Sequence, residues 1–216
     1  MGYFCSSDWH FGHKQILEFE RNRFQKIEEH DQFLLKTIRN YFQSNIGAHD
    51  TFYFLGDLGV PTEAVASSLY ALFADAPFKK VAVLGNHDGS KQKRFMREIF
   101  DEVYEYPIYI SNTVVLSHYP VAVYDCQMNI HGHLHASYLA DRNHINASVA
   151  VANYKFVQQS QVDRIKKTFD TQWSPKFLHE PYAKDYVFTD MGRTDVVTDR
   201  LGKVNLKASL KLRGEK

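Results

Sequence analysis

The chain has 216 residues, a length that suits one domain of ordinary size with or without an appendage. Hydrophobic residues make up 44% of it and aromatic residues 14%, which is enough for a sizeable core and excludes a disordered chain. The formal net charge of +1 gives no global attraction to nucleic acid or to an anionic membrane.

Targeting signals and cysteine usage bear on the compartment. No apolar run approaches the roughly 20 residues of a membrane span, and the N-terminus lacks a basic region followed by an apolar segment, so no signal peptide is expected. Cys5 and Cys126 are too few for a disulfide framework and suit a reducing compartment. We therefore expect a cytoplasmic protein with no membrane partner.

The first half of the chain alternates strands and helices. Residues 3–7 are predicted to form a short strand, and apolar runs predict buried strands at 51–55 and 79–84. Helical spacing of apolar residues predicts a helix over 27–46, and a proline in the first turn predicts another over 61–75. A short helical segment over 14–20 and a Lys/Arg-rich helix over 91–100 are also expected. This order predicts an α/β domain whose first half is a parallel sheet, with both faces of the sheet covered.

The second half is richer in strands. Residues 106–110 and 113–116 flank Ser111-Asn112 and predict a hairpin that ends shortly before His118. A further short segment precedes His133 and His135. Residues 149–151 are predicted to form a last core strand, and residues 158–169 a helix.

The sequence changes character after about residue 170. Residues 185–189 and 195–198 predict a hairpin, and residues 204–212 alternate apolar and mostly basic side chains, as a strand with two unlike faces does. The apolar face must be buried on the main domain or on a second subunit. We therefore divide the chain into a main domain over 1–168 and a β-rich C-terminal extension over 169–216, which could form a homodimer.

Polar residues collect at the ends of the predicted strands. A pair of divalent metals needs oxygen and imidazole ligands from several segments, and seven such groups stand at these positions: Asp8, His10, Asp57, Asn86, His118, His133 and His135. In Asp8-Trp9-His10 and His133-Leu134-His135, alternate residues of an extended chain would point to one side. Ligands bind at the carboxyl ends of strands in open α/β sheets, so these groups predict an active site.

The motifs D-x-H, G-D, G-N-H-D, H and G-H-x-H follow one another in that order. In this respect the sequence resembles the calcineurin-like metallophosphoesterases over about residues 1–168. It is most similar to the small bacterial and phage-type phosphoesterases, through the segments 4–14 (FCSSDWHFGHK) and 116–120 (LSHYP). The resemblance implies a metallophosphoesterase-like layered sandwich, with central β-sheets flanked by helices.

The same resemblance implies a role for each site residue. Asp8, His10 and His135 would hold one divalent metal ion, Asn86, His118 and His133 would hold a second, and Asp57 would bridge them. The ligand types suit manganese, iron, zinc, magnesium or nickel and do not choose among them. A hydroxide between the metals would attack phosphorus in line. His87 would protonate the leaving oxygen or stabilise the transition state, and Asp88 would orient a histidine.

The sequence departs from the family pattern after the G-N-H-D motif, and this difference limits the substrates that we expect. The sequence Gly89-Ser90-Lys91 follows Asp88, so the phosphate-clamping arginine of protein phosphatases is missing there. We expect a phosphoesterase acting on a small phosphodiester or phosphomonoester, with the diester favoured. The alternatives are a metal-dependent nuclease of DNA or RNA, which would need a basic groove, and a non-catalytic binding scaffold, which should have lost ligands or His87.

Several other residues have two explanations. A patch of Lys91, Lys93, Arg94 and Arg97 could contact nucleic acid, although an exposed helix face explains it as well. His13 could touch substrate or simply begin a helix. Asn153-Tyr154 could lie at the rim of the site or could pack in the core. His131 is interpreted as structural, and no role is assigned to His30, His49, His144 and His179.

Overall fold

The computed structural model describes residues 2–19, 23–137, 139 and 141–170, together with 186–190 and 194–198. The eleven strands are β1 Tyr3–Ser6, β2 Thr51–Phe54, β3 Lys79–Val83, β4 Glu102–Tyr104, β5 Ile108–Ser111, β6 Val114–Leu116, β7 Met128–His131, β8 His144–Asn146, β9 Val157–Gln158, β10 Tyr186–Asp190 and β11 Thr194–Thr198. The helices are α1 Ile16–Phe19, α2 Ile27–Ser44, α3 Glu63–Ala74, α4 Ser90–Ile99 and α5 Gln159–Asp170. The predicted strand at 204–212 lies outside these residues.

The first sheet has the strand order β4-β3-β2-β1-β9. Strands β1 to β4 pair in parallel, and β9 pairs with β1 in the antiparallel direction. The predicted parallel sheet is therefore confirmed. Its strands are continuous apolar runs because helices cover one face and a second sheet covers the other.

Helices α2, α3 and α4 cover the first sheet through one large apolar cluster. The buried stripe of α2 follows helical spacing, with Leu34, Ile38 and Phe42 all nearly inaccessible. At the N-terminal end of α2 the apolar residue Phe33 is 36% exposed, whereas the polar pair His30 and Asp31 is buried. Helix α3 begins where the Thr62 side chain accepts a hydrogen bond from the backbone of Val65.

The second sheet has the order β5-β6-β7-β8 and packs against the first through a second cluster. Its β5–β6 pair is the predicted hairpin, whereas β6–β7 and β7–β8 are parallel. Strands β4 and β8, of three residues each, were not predicted because so short a run carries no readable period.

The predicted strand at 149–151 is wrong. Val149 is buried, but the chain turns there: the Ala152 N–H bonds to the Ser148 carbonyl and the Tyr154 N–H to the Val149 carbonyl. This short apolar segment therefore packs on the core as a turn and not as a strand. The first sheet is completed by β9 instead.

Beyond α5, strands β10 and β11 form an antiparallel pair, as the sequence predicted for this segment. Cys5 is buried, Cys126 is exposed, and both are free thiols. Within the described ranges, no helix has the length and apolar character that a membrane crossing needs.

Candidate metal centre

The D-x-H motif lies in a tight turn directly after β1. Asp8 and His10 both adopt left-handed backbone conformations, with φ of 58° and 44°. Between them Trp9 is fully buried against Phe52 and Phe54, and its indole N–H donates to the Ser6 hydroxyl at 2.9 Å. The two ligand candidates therefore share one side while Trp9 packs away, as predicted, but through left-handed turns rather than an extended chain.

The G-H-x-H segment repeats this arrangement after β7. His133 and His135 have φ of 68° and 44°, and the intervening Leu134 is buried. The His133 N–H lies 3.1 Å from each carboxylate oxygen of Asp8. Gly132 is required by close approach, because a Cβ there would lie 2.6 Å from Asp8 Oδ2.

Asp57 occupies the centre of the cluster. Its Oδ1 atom accepts the His87 N–H at 2.9 Å. Its Oδ2 atom lies 3.5 Å from His10 Nε2 and 3.4 Å from His118 Nε2. Neither approach has the geometry of a hydrogen bond, so this buried oxygen has no hydrogen-bond partner among the residues described.

Two groups of ligand atoms form around Asp57. Asp8, His10 and His135 each offer one atom, and these atoms lie within 4.8 Å of one another. The same holds for Asp8, Asp57 and His118, so Asp8 takes part in both groups. The first group is the set of residues expected to hold the first metal ion.

Asn86 lies within hydrogen-bond distance of His118 and His133, the two remaining ligand candidates. Its Oδ1 atom lies 2.8 Å from His118 Nε2 and 3.0 Å from His133 Nδ1. His118 Nδ1 donates to the Leu55 carbonyl at 2.8 Å, which turns the other ring nitrogen towards Asn86 and Asp57. The three side chains expected around the second ion therefore converge, although their coordination of a metal stays a prediction.

The electrostatics of the cluster depend on burial and on the two aspartates. Burial lowers the pKa of His10 to about 2, so its ring is neutral. Burial opposes ionisation of Asp57, but the neighbouring His118 and His10 outweigh it, and the pKa of Asp57 is lowered. Burial likewise works against a charged His118, yet Asp57 and Asp8 raise its pKa to about 9. Asp57 and Asp8 thus favour the protonated, positively charged form of the buried His118 ring.

These residues fit divalent metal ions. Asp57 Oδ2 and His10 Nε2 are buried polar atoms that lack a hydrogen bond within the described part of the chain. Such groups cost free energy unless something coordinates them. Carboxylate, amide and imidazole donors suit divalent first-row metals and magnesium.

The contacts of Asp88 differ from the predicted ones. Its carboxylate accepts the backbone N–H groups of Asp57, Leu58 and Gly85 at 2.7–2.9 Å. These bonds go to the backbone rather than to an imidazole, so the expected orientation of a histidine is corrected. Asp88 instead fixes the turn that carries Asp57, because a charged acceptor satisfies three backbone donors at once.

His87 lies at the exposed side of the cluster. Its ring centroid is 5.3 Å from that of His10 and 5.5 Å from that of His13. Its backbone is fixed by the bond to Asp57 described above. An accessible imidazole next to the ligand candidates is compatible with proton transfer to a leaving group, which stays a prediction.

The structure shows three further side chains next to the ligand candidates or the turn that carries them. Asp31 on α2 accepts the Gly12 N–H at 2.9 Å and contacts His30 Nδ1 at 3.0 Å. His13 Nδ1 lies 3.1 Å from His10 Nδ1, on the ring edge away from Asp57. Tyr119, half exposed, has its ring centroid 4.3 Å from that of His133. His13 was already a sequence candidate for substrate contact and Tyr119 lies in the LSHYP segment, whereas no sequence signal pointed to Asp31.

Other candidates lie apart from the ligand groups. His131 is buried and donates to the Gly132 carbonyl, and His144 contacts the Asp141 carboxylate. Tyr154 is 3% exposed, which supports packing rather than a place at the rim. Three of the four basic residues of α4 pair with glutamates: Lys93 and Arg97 with Glu105, and Arg94 with Glu98.

Known proteins resemble this chain over most of its length. The family model for calcineurin-like phosphoesterases matches residues 3–197. An uncharacterized protein of Methanocaldococcus jannaschii is 31% identical over 159 residues, which covers 69% of this chain and 82% of that protein. The match to 197 extends beyond the boundary predicted at 168, and the division into domains stays a prediction.

Two further proteins are similar to this chain. The gene 66 protein of Mycobacterium phage L5 is 38% identical over 86 residues, and the match spans 38% of that protein and 39% of this chain. A crystal structure of a protein of unknown function from Aquifex aeolicus has a TM-score of 0.59 and 25% identity, and it covers 76% of this chain and 98% of that one.

These matches agree with the two sheets flanked by helices and with the Asp/His groups. Members of this family are metal-dependent phosphoesterases that bind two divalent metal ions. The chain belongs to the calcineurin-like phosphoesterase family.

Proposed function

We propose that the chain hydrolyses small phosphodiesters with the help of two divalent metal ions. The observation that carries this proposal is the position of Asp57 Oδ2. It is buried, lies 3.5 Å from His10 Nε2 and 3.4 Å from His118 Nε2, and has no hydrogen bond to any described residue. A carboxylate oxygen between two imidazoles is suited to bridge two cations.

The remaining residues divide between the two ions. Asp8, His10 and His135 would hold the first, and Asn86, His118 and His133 the second. When bound, the ions supply Lewis acidity and an activated water for attack on phosphorus. The ligand set contains no thiolate and is compatible with manganese, iron, zinc, magnesium or nickel.

The chain's own residues would bind the ester and manage the leaving group. The His87 backbone is fixed on Asp57, and its exposed ring can donate a proton to the departing oxygen. Asp88 holds the Asp57 turn in place through backbone bonds. The fixed geometry means that little reorganisation is needed when the substrate binds.

The preference for a diester rests on charge. Gly89-Ser90-Lys91 follow Asp88 without an arginine that could balance the second charge of a monoester. Nuclease activity has less support, because Lys93, Arg94 and Arg97 already pair with Glu98 or Glu105. A non-catalytic scaffold has little support, because every expected ligand and His87 are retained.

The test compares hydrolysis and metal binding in the same variants. With manganese, the wild type should cleave bis(p-nitrophenyl) phosphate faster than p-nitrophenyl phosphate. Asp57→Ala should lower kcat/KM roughly 100-fold or more, because even partners of metal ligands are worth 10–100-fold. Calorimetric titration should find fewer bound manganese ions in this variant than in the wild type.

Two further variants complete the design. Asp75→Ala, at the exposed C-terminal end of α3, is the matched control and should behave as the wild type. His87→Ala should bind manganese normally and lose kcat. Hydrolysis by Asp57→Ala at the wild-type rate would refute the proposed mechanism.

A further inference from the structure

Arg23 is held in one orientation although it is exposed. Its Cζ atom lies 4.7 Å from the ring centroids of Phe33 and Tyr154 and 5.5 Å from that of Phe24. Its Nη1 atom donates to Asn153 Oδ1 at 2.7 Å. Within the described ranges no carboxylate forms an ion pair with it, so a charged fork with further N–H donors remains available.

The surroundings of Arg23 connect it to the residues that flank Asp8 and His10. On one side, the Tyr154 N–H bonds to the Val149 carbonyl, and the Val149 N–H bonds to the carbonyl of Ser7, the residue before Asp8. On the other side, the Phe24 ring contacts His30, and the adjacent Asp31 accepts the N–H of Gly12. Two short series of contacts therefore link the surroundings of Arg23 to the chain on either side of Asp8 and His10.

The segment beneath the guanidinium is strained. Asn153 and Tyr154 both have positive φ, 49° and 61°, which non-glycine residues rarely adopt. Such strain persists where the surroundings enforce it and clusters at functional sites. Here it places one hydrogen-bond acceptor and one aromatic face against Arg23, while the Tyr154 ring is buried against Phe33.

We propose that Arg23 binds an anionic group of the substrate other than the reacting phosphate. The substrate would then be a phosphate ester that carries a second anionic group, such as a second phosphate. This inference rests on the proposed function, in which the metal ligands take the reacting phosphate. A guanidinium that is already oriented on aromatic rings loses little freedom on binding and presents a planar fork to phosphate oxygens.

The experiment compares two substrates that differ by one phosphate: the p-nitrophenyl ester of thymidine 5′-phosphate, with and without a 3′-phosphate. Arg23→Ala should raise KM and lower kcat/KM roughly tenfold or more for the bisphosphorylated ester. For the other ester the change should stay within about threefold. Arg23→Lys should recover part of the loss, because it keeps the charge but not the fork.

Two variants separate binding from a structural link. Arg39→Ala, which removes an exposed arginine of α2, is the matched control and should leave the ratio of the two substrates unchanged. Asn153→Gly removes the acceptor but tolerates the positive φ, so it should weaken the substrate preference less than Arg23→Ala does. Equal losses on both substrates in Arg23→Ala would make Arg23 a structural link and overturn the inference.

Binding of thymidine 3′,5′-bisphosphate, measured by calorimetry, distinguishes this inference from the proposed function. If neither ester is cleaved, the proposed function fails. Weaker binding of the bisphosphate by Arg23→Ala would still support the anion site. If neither ester is cleaved and the bisphosphate binds both proteins equally, the inference fails as well.

Discussion

Asp88 accepts the backbone N–H of Asp57 through its Oδ2 atom at 2.9 Å, so the turn after β3 directly supports the residue at the centre of the candidate metal centre. The same carboxylate holds the N–H groups of Leu58 and Gly85. Three backbone donors, two of them buried, therefore depend on one side chain, and its removal takes away their acceptor.

We expect Asp88→Asn to lower the free energy of unfolding by about 1–3 kcal/mol, because the amide cannot accept all three bonds and turns a donor towards one of them. Denaturant unfolding of the metal-free protein measures this effect without contribution from bound ions. Asp75→Asn, on the exposed end of α3, should stay within about 0.5 kcal/mol of the wild type. A wild-type stability for Asp88→Asn would contradict the anchoring role.

A second prediction concerns two glycines of the same turn. A Cβ at Gly85 would lie 2.6 Å from the Asp57 backbone nitrogen, whereas one at Gly89 would lie 3.4 Å from Gln92 Oε1, an ordinary contact. Gly85→Ala should therefore displace Asp57 and weaken manganese binding roughly tenfold or more. Gly89→Ala should leave manganese binding unchanged and cost less than about 1 kcal/mol of stability. Equal manganese affinities in the two variants would show that Gly85 is not needed for close approach.

A third prediction concerns pH. Burial works against ionisation of Asp141, but the hydrogen bond from His144 and those from the Asn143 and His144 backbones lower its pKa below the ordinary 3.8. A lowered carboxyl pKa stabilises the folded state above the unfolded pKa, and this contribution is lost as the pH falls through the folded pKa.

The stability difference between the wild type and Asp141→Asn should therefore shrink as the pH falls below about 4. Urea unfolding at a series of pH values measures it. Asp75→Asn supplies the background dependence of an exposed carboxyl. A difference that grows as the pH falls would have the wrong sign for a lowered pKa.

A fourth prediction concerns the two thiols. Cys126 is exposed, whereas Cys5 is fully buried between the two sheets, and burial raises the pKa of its thiol. Because the thiolate is the reactive form, a thiol reagent should label Cys126 in the native protein and Cys5 only after unfolding. Cys126→Ser should abolish native labelling. Labelling of Cys5 in that native variant would contradict its burial.

Much of the fold could be predicted because it depends on local patterns. Continuous apolar runs such as 51–55 become central strands, and the helical spacing along α2 marks its buried face. Short strands such as β8 and β9 escaped prediction because two or three residues carry no readable period. In addition, β9 pairs with β1, which lies far away in sequence. The prediction at 149–151 was wrong for a different reason: an apolar run can be buried in a turn as well as in a strand.

The candidate site was predicted through the order of its motifs, each at the end of a strand. The sequence alone determined which side chains could serve as ligands, and parallel pairing of the strands brings their ends to one edge. Tertiary structure decided the left-handed turns that aim Asp8 and His10, and the backbone contacts of Asp88. It also decided the link between Arg23 and Asn153, which lie 130 residues apart. Such contacts depend on distances in the folded chain, and no spacing in a linear sequence encodes them.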